Sequence, residues 1–405
     1  SRAGEIVANW TEGRVAEAAL SLTGQVPHAS APSALLAWMK AHEPDRYRRI
    51  GCAFACKDWL RFCLTGAVGT DRTEASTSFT DFRDGSYSRA ALGVFGLEEL
   101  RDALPPVGGS AAIAGHVTAA ASSRTGLTAG TPVAFGLHDV TASALGIGGH
   151  AEGVLAIVAG TYSINEVVSS APRVDQRWFC RNAVAPGRWN NMAISPASAA
   201  NYDWFLDTLC RRDLEAAEAE GRSIHALLAR EIDAALRQPS TVLFHPYLFG
   251  SPYGPGASGG FLGLRGWHDR GTMLRAVLEG IAFNHRVHVD ALREGFPVRE
   301  LRLTGGASRN PAFAQMFADV LGMPVIVTET EEAAAWGAAL CAGAAVGLYA
   351  SPEDDPRDLA NLCAVYAPDP ARSAAYEARY RLFCRAAETL APLWPEIDKL
   401  AGCDA

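Results

Sequence analysis

The residue best placed to move a proton is Asp139, in the segment FGLHDVTASALG. A short strand, Pro132 to Gly136, delivers this aspartate to the start of a small-residue, helix-like stretch, Thr141 to Leu145. Backbone amides and the helix dipole favour a charged carboxylate there, and such a carboxylate can accept a proton from a hydroxyl. A plain N-cap would use the same residue. Adjacent His138 reads as an exposed or internally satisfied imidazole. Two glycine turns could hold an anion near such a base. In the first, the apolar strand GVLAIVAG (153–160) is followed by Thr161-Tyr162-Ser163 and a returning strand, Ile164 to Ser169. Its amides and hydroxyls suit a phosphate, and a plain hairpin would need the same residues.

The second turn lies in the run from Arg299 to Gly347, RELRLTGGASRNPAFAQMFADVLGMPVIVTETEEAAAWGAALCAGAAVG. Val298, Leu301 and Leu303 space as a strand, and Gly305-Gly306 allow a tight turn and a close backbone approach. Ser308 and Asn310 are cap-type residues and Pro311 suits a first helical turn, which predicts a helix from Asn310 that buries Phe313, Phe317 and Leu321. Met323 to Thr328 reads as the next strand. A glycine pair between a strand's carboxyl end and a helix is where open α/β sheets bind nucleotides; a ligand-free connection would have the same sequence.

The elements that must position these groups make up a chain of 405 residues, 49% hydrophobic and 20% charged, enough for two or three domains. A net charge of -8 argues against a nucleic-acid or anionic-membrane surface. Nine cysteines occur without a C-x-x-C pair, and no apolar run reaches the ~18 residues of a membrane span. They read as reduced thiols of a cytoplasmic protein, with Cys52, Cys56 and Cys63 as buried core thiols. Lysine occurs only at Lys40, Lys57 and Lys399, so a G-x-x-x-x-G-K-[ST] phosphate loop is excluded. Gly146 to Ala151 fits G-x-G-x-x-A but follows a helix, an accidental match. No S-x-x-K or H-E-x-x-H occurs.

The character of the chain changes near residues 146 to 153. Before it come amphipathic helices, Ser33 to His42 and Cys56 to Leu64, and the hydroxyl-rich TDRTEASTS (70–78), which suits a polar cavity or a capped helix start. Gly115 to Thr131 reads as a loop with a short helix. After it, helices are predicted from Asn201 to Cys210, Ile224 to Leu236 and Thr272 to Arg293, with the aromatic, glycine-rich FHPYLFGSPYGPGASGGFLGL between the last two.

Taken in order, these segments resemble the FGGY carbohydrate kinases of the actin-like ATPase superfamily. LLAWMKAHEPDRYRRIG and CKDWLRFCLTGAVGTDRTEASTSFTDF resemble the family's first-domain helices and sugar-facing loop. GLHDVTASALG resembles its G-x-x-D-x-x-A segment, IVAGTYSIN its second phosphate hairpin, GGFLGLRGWHDRGTMLRAVLEGIAFN its second-domain signature and LTGGASRN its adenosine motif. The resemblance implies an α/β fold of two actin-like, ribonuclease H-like domains around a cleft. Residues 1–148 would be the remainder of the sugar-binding domain and 149–405 the nucleotide-binding domain. It implies ATP and Mg2+, Asp139 as the base, and Gly160, Thr161, Gly305, Gly306, Ser308 and Asn310 beside the nucleotide, with no protein metal ligands. His138, Thr73, Glu74 and Ser76 would reach the sugar, with helix capping the equal alternative for 73–76. Lys57 and Asp58 read equally as an exposed ion pair.

The GLHDV form points to the L-xylulose branch, with erythritol or another polyol, or a non-catalytic sugar-binding relative, as alternatives. The resemblance further implies a monomer or homodimer whose partners are a sugar or polyol and ATP, without nucleic acid or membrane. The family's opening strand and hairpin, with their phosphate-cradling aspartate, glycine and threonine, have no counterpart here. The first domain is therefore expected to be incomplete at its N-terminus, the chain to be most of a longer active kinase, and residues 1–405 alone to have weak or no activity. Leu35 and Thr272 stand where family signatures prefer lysine and a polar amide or acid.

Overall fold

A seven-stranded mixed sheet organises the computed structural model, which describes residues 2–254 and 256–400. In spatial order its strands are Cys363–Tyr366, Val325–Thr328, Glu300–Thr304, Val154–Ala159, Ser163–Ser169, Trp189–Ser195 and Phe179–Asn182. Glu300–Thr304 runs parallel to both of its neighbours, and every other adjacent pair is antiparallel. The apolar run at 153–160 becomes a central strand buried on both faces, which is why its sequence shows no polar alternation. Leu155, Ile157 and Ala159 enter the main core with Phe205, Leu278, Phe283, Phe317 and Phe383 from four helices, Ala199–Leu209, Arg270–Gly295, Pro311–Leu321 and Pro370–Leu390. Ala156 points the other way, onto Ala144, Ile147 and Ala333.

The chain before this sheet is largely helical, including Gly4–Glu12, Val15–Thr23, Pro32–His42 and Cys56–Thr65. Its strands pair only in twos among the described residues: Thr70–Asp71 with Val107–Gly108, and Ile113–His116 with Pro132–Ala134. Tyr47, Phe79, Leu92, Phe95, Leu97 and Leu100 form a separate core there. The expectation of buried thiols at Cys52, Cys56 and Cys63 is corrected: Cys52 is half-buried and the other two are exposed. Cys56–Thr65 buries Asp58 and Arg61 instead, and that turns Cys56, Trp59, Leu60 and Cys63 outward.

The two parts are joined by helix Asp139–Gly146, which packs along Ala333–Ala345. Contact is backbone to backbone. A Cβ at Gly146 would overlap the Ala333 carbonyl oxygen, and one at Gly337 would overlap the Ala142 carbonyl oxygen. The glycines of the G-x-G-x-x-A match thus have a packing role.

Gly337→Ala must separate these helices and is expected to cost about 1–3 kcal/mol. Gly51→Ala, at an exposed site with open space around it, serves as the control. Urea denaturation of both checks this, and equal stability of the two variants would contradict the packing argument.

Candidate active site

The two glycine turns meet at the carboxyl ends of adjacent parallel strands. Thr304 is in register with Val158, so the chain leaves both strands at the same edge. Gly305 has φ +92°, and a Cβ there would lie 2.6 Å from Ala159 O and 3.1 Å from Gly160 N. Only glycine lets the second turn rest on the first. Gly306 opens a 3-10 turn, Gly306–Arg309, that precedes the α-helix Pro311–Leu321. Ser308 Oγ donates to Gly305 O at 2.8 Å, and Asn310 Oδ1 caps the helix by accepting from Ala312 N at 3.0 Å and Phe313 N at 3.4 Å. Gly160 has open space where a Cβ would be, and Thr161 and Tyr162 are exposed.

A buried polar cluster holds the first turn from below. Gly160 O accepts from Ala199 N at 3.0 Å, which ties the turn to helix Ala199–Leu209. His285, on the long helix, reaches Asn165 Oδ1 through Nδ1 at 2.9 Å and Ser198 Oγ through Nε2 at 3.2 Å. The neutral tautomer with its proton on Nδ1 satisfies both contacts. His288 Nε2 lies 3.0 Å from Ser195 Oγ, which also accepts from Asn284 Nδ2 at 3.0 Å. Burial pulls His285 down to about 3, with His288 adding to the effect, and burial pulls His288 to about 4. Sequence reasoning stopped at Asn284 and missed this cluster. Histidines three residues apart on an otherwise apolar helix face were the available signal.

Asp139 is the first residue of its helix, and its side chain is 85% exposed. Its Oδ1 accepts from Val140 N at 2.7 Å. His138 precedes it as the N-cap residue, half-buried, with Nε2 3.6 Å from Asp139 Oδ1. Burial and then Arg181 pull the His138 imidazole down to about 4.

Residues 73, 74 and 76 lie on the same side. Asp71, fully buried, caps Arg72–Ala75: Oδ2 accepts from Thr73 N at 2.8 Å, Thr73 Oγ1 at 2.7 Å and Ser110 Oγ at 2.8 Å. The Thr73 hydroxyl in turn accepts from His138 N at 2.8 Å, so the 70–78 segment is tied to the residue before Asp139. Ser76 Oγ donates to Thr73 O at 2.9 Å. Thr73 and Ser76 are therefore buried in local hydrogen bonds, while Glu74 is half-buried and makes no side-chain ion pair among the described residues. Burial drives the Glu74 carboxyl up to about 7, with Lys57 opposing and Asp71, Asp58 and Asp139 reinforcing.

The reading of Lys57 and Asp58 as an exposed pair is corrected. Asp58 is wholly buried, and Lys57 bridges it to Asp71 at 2.7 and 2.8 Å. Arg61 and the Thr70 hydroxyl complete the shell of Asp58 at 2.8 and 2.6 Å. A local sequence pair cannot reveal that a residue 13 positions on, Asp71, draws the lysine inward. No group of three or more His, Cys, Asp or Glu that could hold a metal occurs among the described residues. Likewise, none of the described helices is long and apolar enough to cross a membrane.

Comparison with known proteins supplies a family. The model for the N-terminal domain of the FGGY family of carbohydrate kinases matches residues 1–146, and that for its C-terminal domain matches residues 155–346. The L-xylulose/3-keto-L-gulonate kinase of Escherichia coli (strain K12) is 34% identical over 387 residues, covering 94% of this chain and 75% of that protein. The erythritol kinase of Brucella abortus (strain 2308) is 31% identical over 416 residues, covering 99% and 79%. Among solved structures, the xylulose kinase from Rhodospirillum rubrum superposes with a TM-score of 0.82 at 29% identity, covering 97% and 79%.

The buried histidines make stability depend on pH in a definite direction. In the unfolded chain they titrate near 6.5 and in the folded protein near 3 to 4, so the unfolded state binds protons first as pH falls. Their contribution is complete above about pH 6.5 and is lost progressively toward pH 4. Urea denaturation at pH 7, 6 and 5 should show falling stability. His285→Gln should remove up to about 1.4 kcal/mol per pH unit from that slope; an unchanged slope would contradict neutral burial of His285.

Proposed function

Because the chain belongs to the FGGY family of carbohydrate kinases, we propose that it transfers the γ-phosphoryl group of ATP to a hydroxyl of a small sugar, with Asp139 as the base. The observation that carries this reading is the contact of Gly305 on the Gly160 backbone, which brings two amide-rich turns to one edge of the sheet. Gly160 and Thr161 would face the phosphates, and Gly305, Gly306, Ser308 and Asn310 would shape the adenosine side. Ser308 and Asn310 act chiefly by fixing the turn, since both oxygens are engaged within it.

The chemistry asks little of the protein beyond position and charge. As the acceptor oxygen bonds to the γ-phosphorus, its proton passes to the Asp139 carboxylate, and the bond from that phosphorus to the bridging oxygen breaks to release ADP. The exposed Asp139 carboxylate is open to an acceptor, and Val140 N and the helix N-terminus stabilise its charge. Magnesium would neutralise the phosphate charge. With no metal-holding cluster among the described side chains, we place it with the nucleotide and not in a protein cage.

A ketopentose such as L-xylulose is our first choice of acceptor, supported by the identity to the Escherichia coli enzyme, and erythritol or another polyol is the alternative supported by the Brucella relative. His138, Thr73, Glu74 and Ser76 are proposed to line the acceptor site, Glu74 by contact and Thr73 and Ser76 through the backbone they hold. We further propose a division into domains at 148/149 and a cytoplasmic monomer or homodimer that binds neither nucleic acid nor membrane.

Asp139→Asn should reduce sugar-dependent ADP formation by at least about a thousandfold while leaving ATP affinity within a few-fold, the pattern of a lost base. Coupled ADP detection and calorimetric ATP titration check both halves, and near-normal turnover would sink the assignment. Gly305→Val should do the reverse of the binding result: at φ +92° and 2.6 Å from Ala159 O, the side chain displaces the turn and ATP affinity should fall at least about tenfold.

A further inference from the structure

The helix that opens on Asp139 closes on two guanidinium groups. Ala144 O accepts from Gly149 N at 2.7 Å and Leu145 O from Gly148 N at 2.9 Å, whereas Gly146 O accepts from Arg357 Nη2 at 2.8 Å and Ile147 O from Arg302 Nη1 at 2.6 Å. Cations at this end complement the helix dipole and satisfy carbonyls that no helical amide reaches. Arg302 belongs to the strand Glu300–Thr304 of the central sheet. Arg357 comes from a loop with no helix or strand of its own, 211 positions away from the glycine it holds.

That loop is shaped around the guanidinium. Asp355 Oδ1 accepts from Arg357 N at 3.0 Å and from Arg357 Nε at 3.0 Å, and its Oδ2 accepts from Arg357 Nη2 at 2.6 Å and from Trp336 Nε1 at 3.0 Å. The guanidinium lies over the Trp336 ring, 4.4 Å from its centroid. Burial works to raise the Asp355 carboxyl, but its hydrogen bonds from Arg357 and Trp336 outweigh that and hold it below the usual carboxylate range. The remaining nitrogen, Nη1, donates to Thr330 Oγ1 at 2.8 Å. Next to Thr330 are Glu331, whose carbonyl oxygen accepts from Arg309 Nη2 at 3.3 Å, and Glu332, whose carboxylate lies 3.2 Å from the same nitrogen. Arg309 ends the 3-10 turn that opens at Gly306. Arg357 therefore stands between the neighbourhood of the second glycine turn and the far end of the Asp139 helix.

We propose that Arg357 is a positioning residue for phosphoryl transfer: by holding Gly146 O and Thr330 Oγ1 in one fork, it sets where Asp139 stands relative to the nucleotide. This rests on the kinase reading above. The glycine contacts between Asp139–Gly146 and Ala333–Ala345 fix how far apart these helices lie, but small residues oppose sliding along the axis only weakly. A clamp on the terminal carbonyl removes that freedom. The helix has eight residues, so Gly146 is only about 10 Å from Asp139, and it contains no proline at which a shift could be absorbed. The planar guanidinium suits the task because its donors have a fixed mutual geometry, which an ammonium lacks. An error of about 1 Å in the placement of a reacting group can cost about a hundredfold in rate.

The test is steady-state kinetics of the full chain, of Arg357→Met and of Arg357→Lys with L-xylulose and ATP, joined to amide hydrogen exchange. In Arg357→Met, kcat should fall at least about tenfold while KM for both substrates stays within about threefold, the pattern of a displaced base with binding intact. Arg357→Lys, which keeps the charge without the fork, should recover part of kcat. Added to Asp139→Asn, Arg357→Met should lower the residual rate by less than about twofold, because no base is left to position. Amides of Asp139–Gly146 should exchange faster in Arg357→Met and those of Pro370–Leu390 at an unchanged rate, which separates local release from unfolding; Arg302 still holds Ile147 O in that variant. A kcat within about twofold of the unmodified protein overturns the proposal, as does a loss confined to KM or one of equal size in the Asp139→Asn background. Absence of turnover by the unmodified protein, with L-xylulose and with erythritol, would defeat the kinase reading and this inference with it, while faster exchange at Asp139–Gly146 in Arg357→Met would leave the clamp itself standing.

Discussion

The backbone contact between Asp139–Gly146 and Ala333–Ala345 sets the position of everything else in the cleft. Each helix offers a glycine to a carbonyl of the other, Gly146 to Ala333 and Gly337 to Ala142, so their separation is fixed by main-chain atoms that have no rotamers to adjust. Ala144 and Ile147 seat the same helix on Ala156 of the central strand. That strand ends at Gly160 and, through Gly305, carries the second turn. Asp139 and both glycine turns are consequently referred to one rigid frame of a strand and two helices.

A second support reaches Asp139 from the opposite side, and it is built from charge. His138 N donates to Thr73 Oγ1, Thr73 donates to Asp71, and Asp71 is held by Lys57, which Asp58 shares with Arg61. Burial works against the Lys57 charge, but Asp71 and Asp58 outweigh it and raise its pKa. Isolated buried ions cost several kcal/mol each, and removing one partner from such a set typically costs about 3–5 kcal/mol. The set persists because every carboxylate oxygen has a donor: Asp58 takes Lys57, Arg61 and Thr70, and Asp71 takes Lys57, Thr73 and Ser110. Packing therefore fixes one end of the approach to Asp139 and hydrogen bonding the other.

What the sequence made legible follows from what is local. The strand at 153–160, the turn at Gly305-Gly306, the Asn310 cap and the helix opening at Asp139 depend on neighbouring residues, and each appears within a residue or two of its expected bounds. The family motifs extended that reach to the two-domain architecture. Side chains that matter through distant partners stayed hidden. His285 is significant only because Asn165 and Ser198 meet it, and Arg357 only because Gly146 meets it from 211 positions away. Cys56–Thr65 misled for the same reason: it buries its charges against Asp71 and Gly69 and leaves Trp59 and Leu60 outside, the inverse of an ordinary amphipathic helix.

Asp139 stays exposed at the start of a closely packed helix, which would reconcile two opposed demands on the general base we propose it to be. Its position must hold within a fraction of an ångström for a proton to pass to it, which favours burial of the backbone that carries it. Its carboxylate must stay ionised and reachable, which favours exposure. Nearby Glu74 illustrates the alternative, since burial, only partly opposed by Lys57, raises its carboxyl to about 7 and leaves it partly protonated at neutral pH. Asp139 is arranged the other way, with its helix buried and its side chain outside: the main chain from Thr141 to Gly146 is enclosed by Ala333, Gly337 and the central strand, while the carboxylate is exposed and accepts from the Val140 amide. An arriving acceptor would then meet a carboxylate that is already exposed and held by its helix, so binding need not reorganise the protein to uncover it.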